Sequence, residues 1–178
     1  AAAGFQPWTG NTVWWADAPP RVETFAPGAT GYQVPRERFD AVLRNVAISA
    51  GAQLLTGVVR EVDLPSVTIE TDGEMVQLTA PWVLDCSGRA GVIARKGLRV
   101  PEPSHRTVAL AGIWRATALW PDAQAGHTLV ASHADGWAWS VPVASGLRYV
   151  TVMVDPERSH LTRGASARDV YSAELDKV

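Results

Sequence analysis

The spacing of apolar residues changes period along this chain. From Pro35 to Ala50 they fall at Phe39, Val42, Leu43, Val46 and Ala50, the stripe of a helix packed on one side. Pro35 suits the first helical position, Gly51 is placed to close the end, and Asp40 and Arg44 stand four apart, where they can pair. Alternation with period two takes over from Gln53 to Val62, then in Val67 to Thr71 and Glu74 to Thr79, which flank the hairpin dipeptide Asp72-Gly73. Trp82-Val83-Leu84-Asp85-Cys86 reads as a buried strand that opens into a tight turn at Ser87-Gly88, where a ligand can sit. From Thr107 onward strands are predicted over 108–116, 128–132, 137–143 and 147–154, divided by Gly, Pro and Asp. They make a mostly antiparallel sheet.

The ends read as cut. Residues 4–15 (GFQPWTGNTVWW) carry aromatic and turn residues with no strand or helix before them to hold them. The segment Ala167 to Val178 has helical composition but stops before a second amphipathic turn with a cap. The whole is an α+β pattern, or a piece of a two-domain α/β protein.

Composition narrows the classes. Of 178 residues 47% are apolar and 19% charged, which excludes wholesale disorder. With 16 basic against 18 acidic residues there is no basic stripe, so no nucleic-acid partner is expected. No apolar run approaches the ~18 residues of a membrane span, and the opening residues lack a secretory signal. A single cysteine, Cys86, forms no intrachain disulfide, and the expected localisation is cytoplasmic. Cys86 is read as a small buried residue. The four histidines, His105, His127, His133 and His160, lack metal-site spacing, so no metal is expected and they are assigned to the surface or to hydrogen bonds. Arg95, Lys96 and Arg99 read as a solvated loop. Ser87 lacks the first glycine of a G-x-S-x-G elbow, against a hydrolase. Neither GxGxxG nor Gly-Lys-Ser/Thr occurs among the 15 glycines, so a complete nucleotide-binding domain is not encoded. The outlier is tryptophan, 8 residues against 3 Tyr and 3 Phe.

Three segments resemble one family. Val83-Leu84-Asp85-Cys86-Ser87-Gly88-Arg89, continuing through Gly91-Val92-Ile93, resembles the Asp-Cys/Ala-Ser/Thr-Gly segment of flavin-dependent tryptophan halogenases and of related FAD monooxygenases of the p-hydroxybenzoate hydroxylase type. Gly136-Trp137-Ala138-Trp139-Ser140-Val141-Pro142 is similar to the halogenase signature Trp-x-Trp-x-Ile-Pro, with Val141 in place of the usual Ile. Gly31-Tyr32-Gln33-Val34-Pro35-Arg36, leading into Phe39-Asp40, is similar to the entry into the family helix that carries an Arg beside the flavin.

The resemblance implies an incomplete FAD-binding domain over 34–104, a substrate-side segment over 1–33, an antiparallel substrate-domain sheet over 105–160 and the start of a helical segment over 161–178. It implies FAD as cofactor, with Arg36, Asp85, Ser87, Gly88 and Arg89 on the cofactor side, and Trp14, Trp15, Trp137, Trp139 and Pro142 on the substrate side. Gly88 lets backbone approach a ring or phosphate, Asp85 suits a ribose or water-bridged hydrogen bond, and Arg36 and Arg89 suit a pyrophosphate or a reduced flavin anion. The plainer alternative is that Gly88 only turns the chain and Asp85 caps the next segment. Likewise Trp137 and Trp139 share one strand face and either line a substrate passage or cover a core, while Trp14 and Trp15 point to opposite faces.

The family reaction uses O2, a small-molecule substrate and in some members a separate flavin reductase. A flavin C4a-hydroperoxide then hydroxylates an aromatic or other organic substrate or oxidises halide. The family's dinucleotide fingerprint and the halogenase active-site lysine lie upstream of the helix, and the only lysines here are Lys96 and Lys177. The leading expectation is a monooxygenase that hydroxylates, with a halogenase as first alternative. A non-catalytic α+β module that binds a ligand or partner through its Trp-rich sheet is the alternative of another class.

Overall fold

The computed structural model describes residues 4–29, 31–102, 106–118, 122–159, 161 and 164–178. The histidines at 105 and 160 lie outside the described residues. The chain divides into two compact units, Ala1–Ala41 with His105–Val178, and Val42–Ser104.

The first unit is built on a six-stranded sheet. Its strands are β2 (Gly10–Trp14), β3 (Arg21–Thr24), β8 (Val108–Arg115), β9 (His127–His133), β10 (Gly136–Ala144) and β11 (Leu147–Val154), in the order β3-β2-β9-β10-β11-β8. All neighbours are antiparallel except β2 and β9, which run parallel with Trp14 opposite Ala131. Two short strands, β1 (Gln6–Trp8) and β4 (Gly31–Gln33), pair separately. The N-terminal segment, expected to lack support, is therefore strand. Its partner β9 is more than a hundred residues away, a pairing that no local pattern announces.

Alternation along the strands puts Ala138, Val152 and Val154 on one face, where they form a buried cluster with Tyr171 of a C-terminal helix. That helix is capped, contrary to the sequence expectation: the Ser166 hydroxyl accepts from Asp169 N at 3.1 Å and opens nine helical residues, Ala167–Leu175. Val170, Tyr171 and Glu174 are its buried positions.

The second unit holds a three-stranded meander, β5 (Val58–Asp63), β6 (Ser66–Thr71) and β7 (Glu74–Thr79). The turn between β6 and β7 has positive φ at both central residues, +50° at Asp72 and +82° at Gly73, as the Asp-Gly dipeptide predicts. Residues 53–57, predicted as strand, are not strand. The helix α1 (Arg36–Ser49) ends on Gly51 at φ +97°, with Gly51 N donating to Ile48 O and Ala52 N to Ala47 O, a Schellman closure. Two expectations for α1 fail. Asp40 pairs at 3.1 Å with Arg36, one turn before it, and not with Arg44, one turn after it, and the apolar stripe Val42, Leu43 and Val46 is exposed.

The predicted buried strand over 82–86 is also absent: Trp82 and Leu84 are 86% and 83% exposed. An apolar run becomes a strand only when a neighbour takes up its N–H and C=O groups, and no described segment forms a ladder with it. Cys86 is exposed for the same reason. Among the described residues, no helix is long and apolar enough to cross a membrane.

Candidate functional site

The segment after Val83 is a knot tied by two side chains. Asp85 Oδ1 accepts from Ser87 N at 3.0 Å and from the Ser87 hydroxyl at 2.5 Å, while Oδ2 accepts from Ile93 N at 2.8 Å and Ala94 N at 3.2 Å. Ser87 Oγ in turn accepts from Val92 N at 2.9 Å. These donors, the Ser87 hydroxyl first, hold the Asp85 carboxyl well below the ordinary carboxylate range. Between the two ends Gly88 at φ +61° and Gly91 at φ +51° turn the backbone through a single 3₁₀ turn, Gly88–Ala90. Arg99 donates to Arg89 O at 2.9 Å and Gly88 O at 3.3 Å, and Lys96 Nζ donates to Val62 O at 2.7 Å. Arg99 thus braces the turn and Lys96 reaches β5, while residues 95–99 remain exposed, as the reading of a solvated loop expects.

A small cavity of about 200 Å³ adjoins the turn, with Val59, Val62, Val83 and Ile93 among its walls. A Cβ on Gly88 would meet nothing within 4 Å, so the backbone there faces open space. Four of the predicted cofactor-side residues, Asp85, Ser87, Gly88 and Arg89, therefore share one turn. Asp85 and Ser87 spend their polar atoms on the turn itself. Arg36 belongs to the other unit, is exposed, and is committed to Asp40.

The substrate-side candidates divide by strand register. Trp137 and Trp139 share a face of β10, with ring centroids 6.1 Å apart and planes at 70°. Trp15 joins them, 6.5 Å from Trp137. The backbone after it is pinned to β9 by Ala16 N donating to Ser132 Oγ at 2.7 Å. Trp15 and Trp139 keep 52% and 41% of their surface exposed, so this aromatic face has room to meet another ring.

Trp14 lies on the opposite face, because it stands opposite Ala131, which stands opposite Ala138. There it borders a cleft of about 890 Å³ with Trp114, Leu129, Ala131, Val150 and Leu175. Trp114 Nε1 donates to the Tyr171 hydroxyl at 2.7 Å, which donates to Val150 O at 3.0 Å. Pro142 is buried, opposite Arg148 in the ladder with β11.

Buried polar residues of the sheet were not among the candidates. Arg148 is 1% exposed, and burial lowers its guanidinium to about 10. The signal was present: Arg148 alternates in phase with Val150, Val152 and Val154, the inward positions of β11. His127 is buried with its Nδ1 3.0 Å from the Thr12 hydroxyl. His133 is half-buried with its side chain covered, its Nε2 3.9 Å from Glu174 Oε2, which also accepts from Lys177 Nζ at 2.8 Å. Among the described residues no group of three or more His, Cys, Asp or Glu is placed to hold a metal.

Comparison with known proteins gives this geometry a family. A model of the tryptophan halogenase family matches residues 17–174. The flavin-dependent halogenase armH3 of Armillaria mellea is 27% identical over 177 residues, covering 85% of this chain and 33% of that protein. The tryptophan 2-halogenase of Chondromyces crocatus is 27% identical over 162 residues, covering 81% and 30%. Among solved structures, the flavin-dependent halogenase CmlS superposes with a TM-score of 0.88 at 28% identity, covering 99% of this chain and 34% of that one. A mutant of the halogenase PltM, which shares the fold at 14% identity, was solved in complex with FAD. The chain thus spans about a third of the length of armH3, the tryptophan 2-halogenase and CmlS. Its three motif segments all lie within the matched region, and it belongs to the tryptophan halogenase family.

Proposed function

We propose that this chain contributes the cofactor-side turn and the substrate-side sheet of an FAD-dependent enzyme that halogenates an aromatic small molecule. The observation that carries the reading is the aromatic face that Trp15 forms with Trp137 and Trp139 of the Trp-x-Trp-x-Val-Pro segment. The family and the names of its relatives support halogenation over hydroxylation.

The turn over 85–94 fits FAD in one respect and not in another. Its backbone around Gly88 is open to a planar ring or a phosphate, and Arg89 at the same place offers a positive charge. Asp85 and Ser87 act at one remove: they fix the shape of the turn and keep no donor or acceptor aimed outward along the ring of bonds just described. FAD, when bound, supplies the reaction with O2 that converts halide into a halogenating agent. The protein's part is to hold the turn rigid, to offer ring faces on which an aromatic substrate stacks, and to exclude water from that face. A separate flavin reductase fits as the source of reduced flavin. The stripe of α1 at Val42, Leu43 and Val46, exposed here, fits a surface that the remainder of an FAD domain covers.

The test is FAD binding by the full-length protein. Gly88→Val, which forces a β-branched residue into φ +61°, is expected to weaken FAD binding at least tenfold, and Arg89→Gln several-fold. Unchanged flavin affinity in both variants contradicts the assignment of this turn to the cofactor.

A further inference from the structure

Strand β10 is an interior strand of its sheet, yet it contains Pro142. A proline there removes a ladder donor, which is why prolines are normally confined to edges and bulges. The consequence is visible in the register. The β10–β9 ladder runs from Gly136 opposite His133 to Ser140 opposite Leu129 and stops. Continued by two residues it would set Pro142 against His127, where Pro142 has no N–H to give. On its other side Pro142 stands opposite Arg148, and the register slips between Pro142 and Ala144.

The Arg148 guanidinium reaches into this gap. Its Nη2 donates to His127 O at 2.5 Å and to Ser140 O at 3.0 Å, its Nε to Ser140 Oγ at 2.8 Å, and its Nη1 to Gln124 O at 3.4 Å. One planar group thus joins β9 to β10 immediately beyond the last backbone pair, as no single ammonium can. Ser140, which accepts twice, directly follows Trp139.

We propose that Arg148 is a positioning residue for the tryptophan pair: its guanidinium replaces the backbone donor that Pro142 lacks and so fixes the course of β10 at Trp139. The consequence for turnover rests on the reading of the Trp137–Trp139 face as the substrate side. The geometric claim does not, and its test needs no flavin.

The test is a double-substitution cycle in the full-length protein, read by the near-ultraviolet circular dichroism of the coupled Trp137 and Trp139 rings and by thermal unfolding. Arg148→Met is expected to lose more than half of the coupled tryptophan signal, and Pro142→Ala alone little of it. The double variant is expected to regain signal and stability over Arg148→Met, because Ala at 142 again offers an N–H toward His127 O. Arg148→Lys, which keeps the charge and loses the fork, is expected to fall between Arg148→Met and the parent and to improve likewise with Pro142→Ala. If Arg148→Met does not fold, the lysine pair carries the comparison. Losses that simply add in the cycle, or a tryptophan signal that survives removal of the guanidinium, overturn the proposal. Halogenation that stays at the parent's level in Arg148→Met, while the cycle shows the expected coupling, instead overturns the reading of the face and leaves Arg148's role standing.

Discussion

Trp137 and Trp139 stand two residues apart on β10 with their rings 6.1 Å apart and nearly perpendicular, and Trp139 keeps 41% of its surface open. A crossed pair of this kind holds one ring as a rigid wall while the other offers a face. An aromatic contact of this type is worth about 0.5–1.5 kcal/mol beyond the area it buries. On the proposed reading of this face, Trp139→Leu in the full-length protein is expected to weaken binding of an aromatic substrate about two- to tenfold. Equilibrium titration of parent and variant checks this, and equal affinities would remove Trp139 from the substrate side.

The Asp85 knot has an acid signature. Because its hydrogen bonds lower the carboxyl from the ordinary value of 3.8, the stabilisation it gives is fully present above pH 3.8 and fades only as pH falls through the lower folded-state value. The amides of Ile93 and Ala94, which donate to Oδ2, are expected to remain protected from exchange at pH 4. Asp85→Asn, which replaces an acceptor oxygen by an amide, is expected to expose them at every pH. Hydrogen exchange resolved by residue measures both.

The helix Ala167–Leu175, packed on the sheet by Val170 and Tyr171, is also tied to it by the Tyr171 hydroxyl. Tyr171 joins Trp114 Nε1 and Val150 O, so Tyr171→Phe leaves a donor and an acceptor without it. The expected cost is about 1–3 kcal/mol, seen as a fall in Tm of about 2–4 °C per kcal/mol in a domain of this size. A melting temperature equal to the parent's would show that the hydroxyl bridge contributes nothing.

At the end of the same helix Lys177 is raised above its ordinary 10.5, first by its hydrogen bond to Glu174. A raised ammonium stabilises the fold below pH 10.5, and that stabilisation is lost as pH climbs through the folded-state value. Glu174→Gln is expected to flatten this alkaline loss in thermal unfolding followed against pH. An alkaline slope identical to the parent's would dissociate Lys177 from Glu174.

What could be read in the sequence was local. The hairpin at Asp72-Gly73, the helix closed by Gly51 and the four strands after Thr107 each carry their own period and punctuation. The strand predicted over 82–86 failed because apolar character says nothing about whether a partner strand is there. The reverse happened at β2, whose polar and aromatic residues gave no signal and whose parallel partner β9 lies far along the chain. In the candidate site, the sharing of a face by Trp137 and Trp139 followed from a spacing of two, and so did the divergence of Trp14 from Trp15. That Asp85 and Ser87 would turn inward, toward Ile93 and Val92, depended on how the chain returns after Gly91. Arg148 sat in phase with three valines, a pattern that marks its position as inward but not the carbonyls waiting there.

Halogenation, proposed above for the protein to which this chain contributes, has a direct test. The direct measurement is mass analysis of the product formed by the full-length protein with FAD, a flavin reductase, O2, bromide and an aromatic substrate. The prediction is a product carrying the paired isotope peaks of bromine, formed only when bromide is present. An oxygenated product that forms equally well without halide would contradict it and place the protein with the hydroxylases.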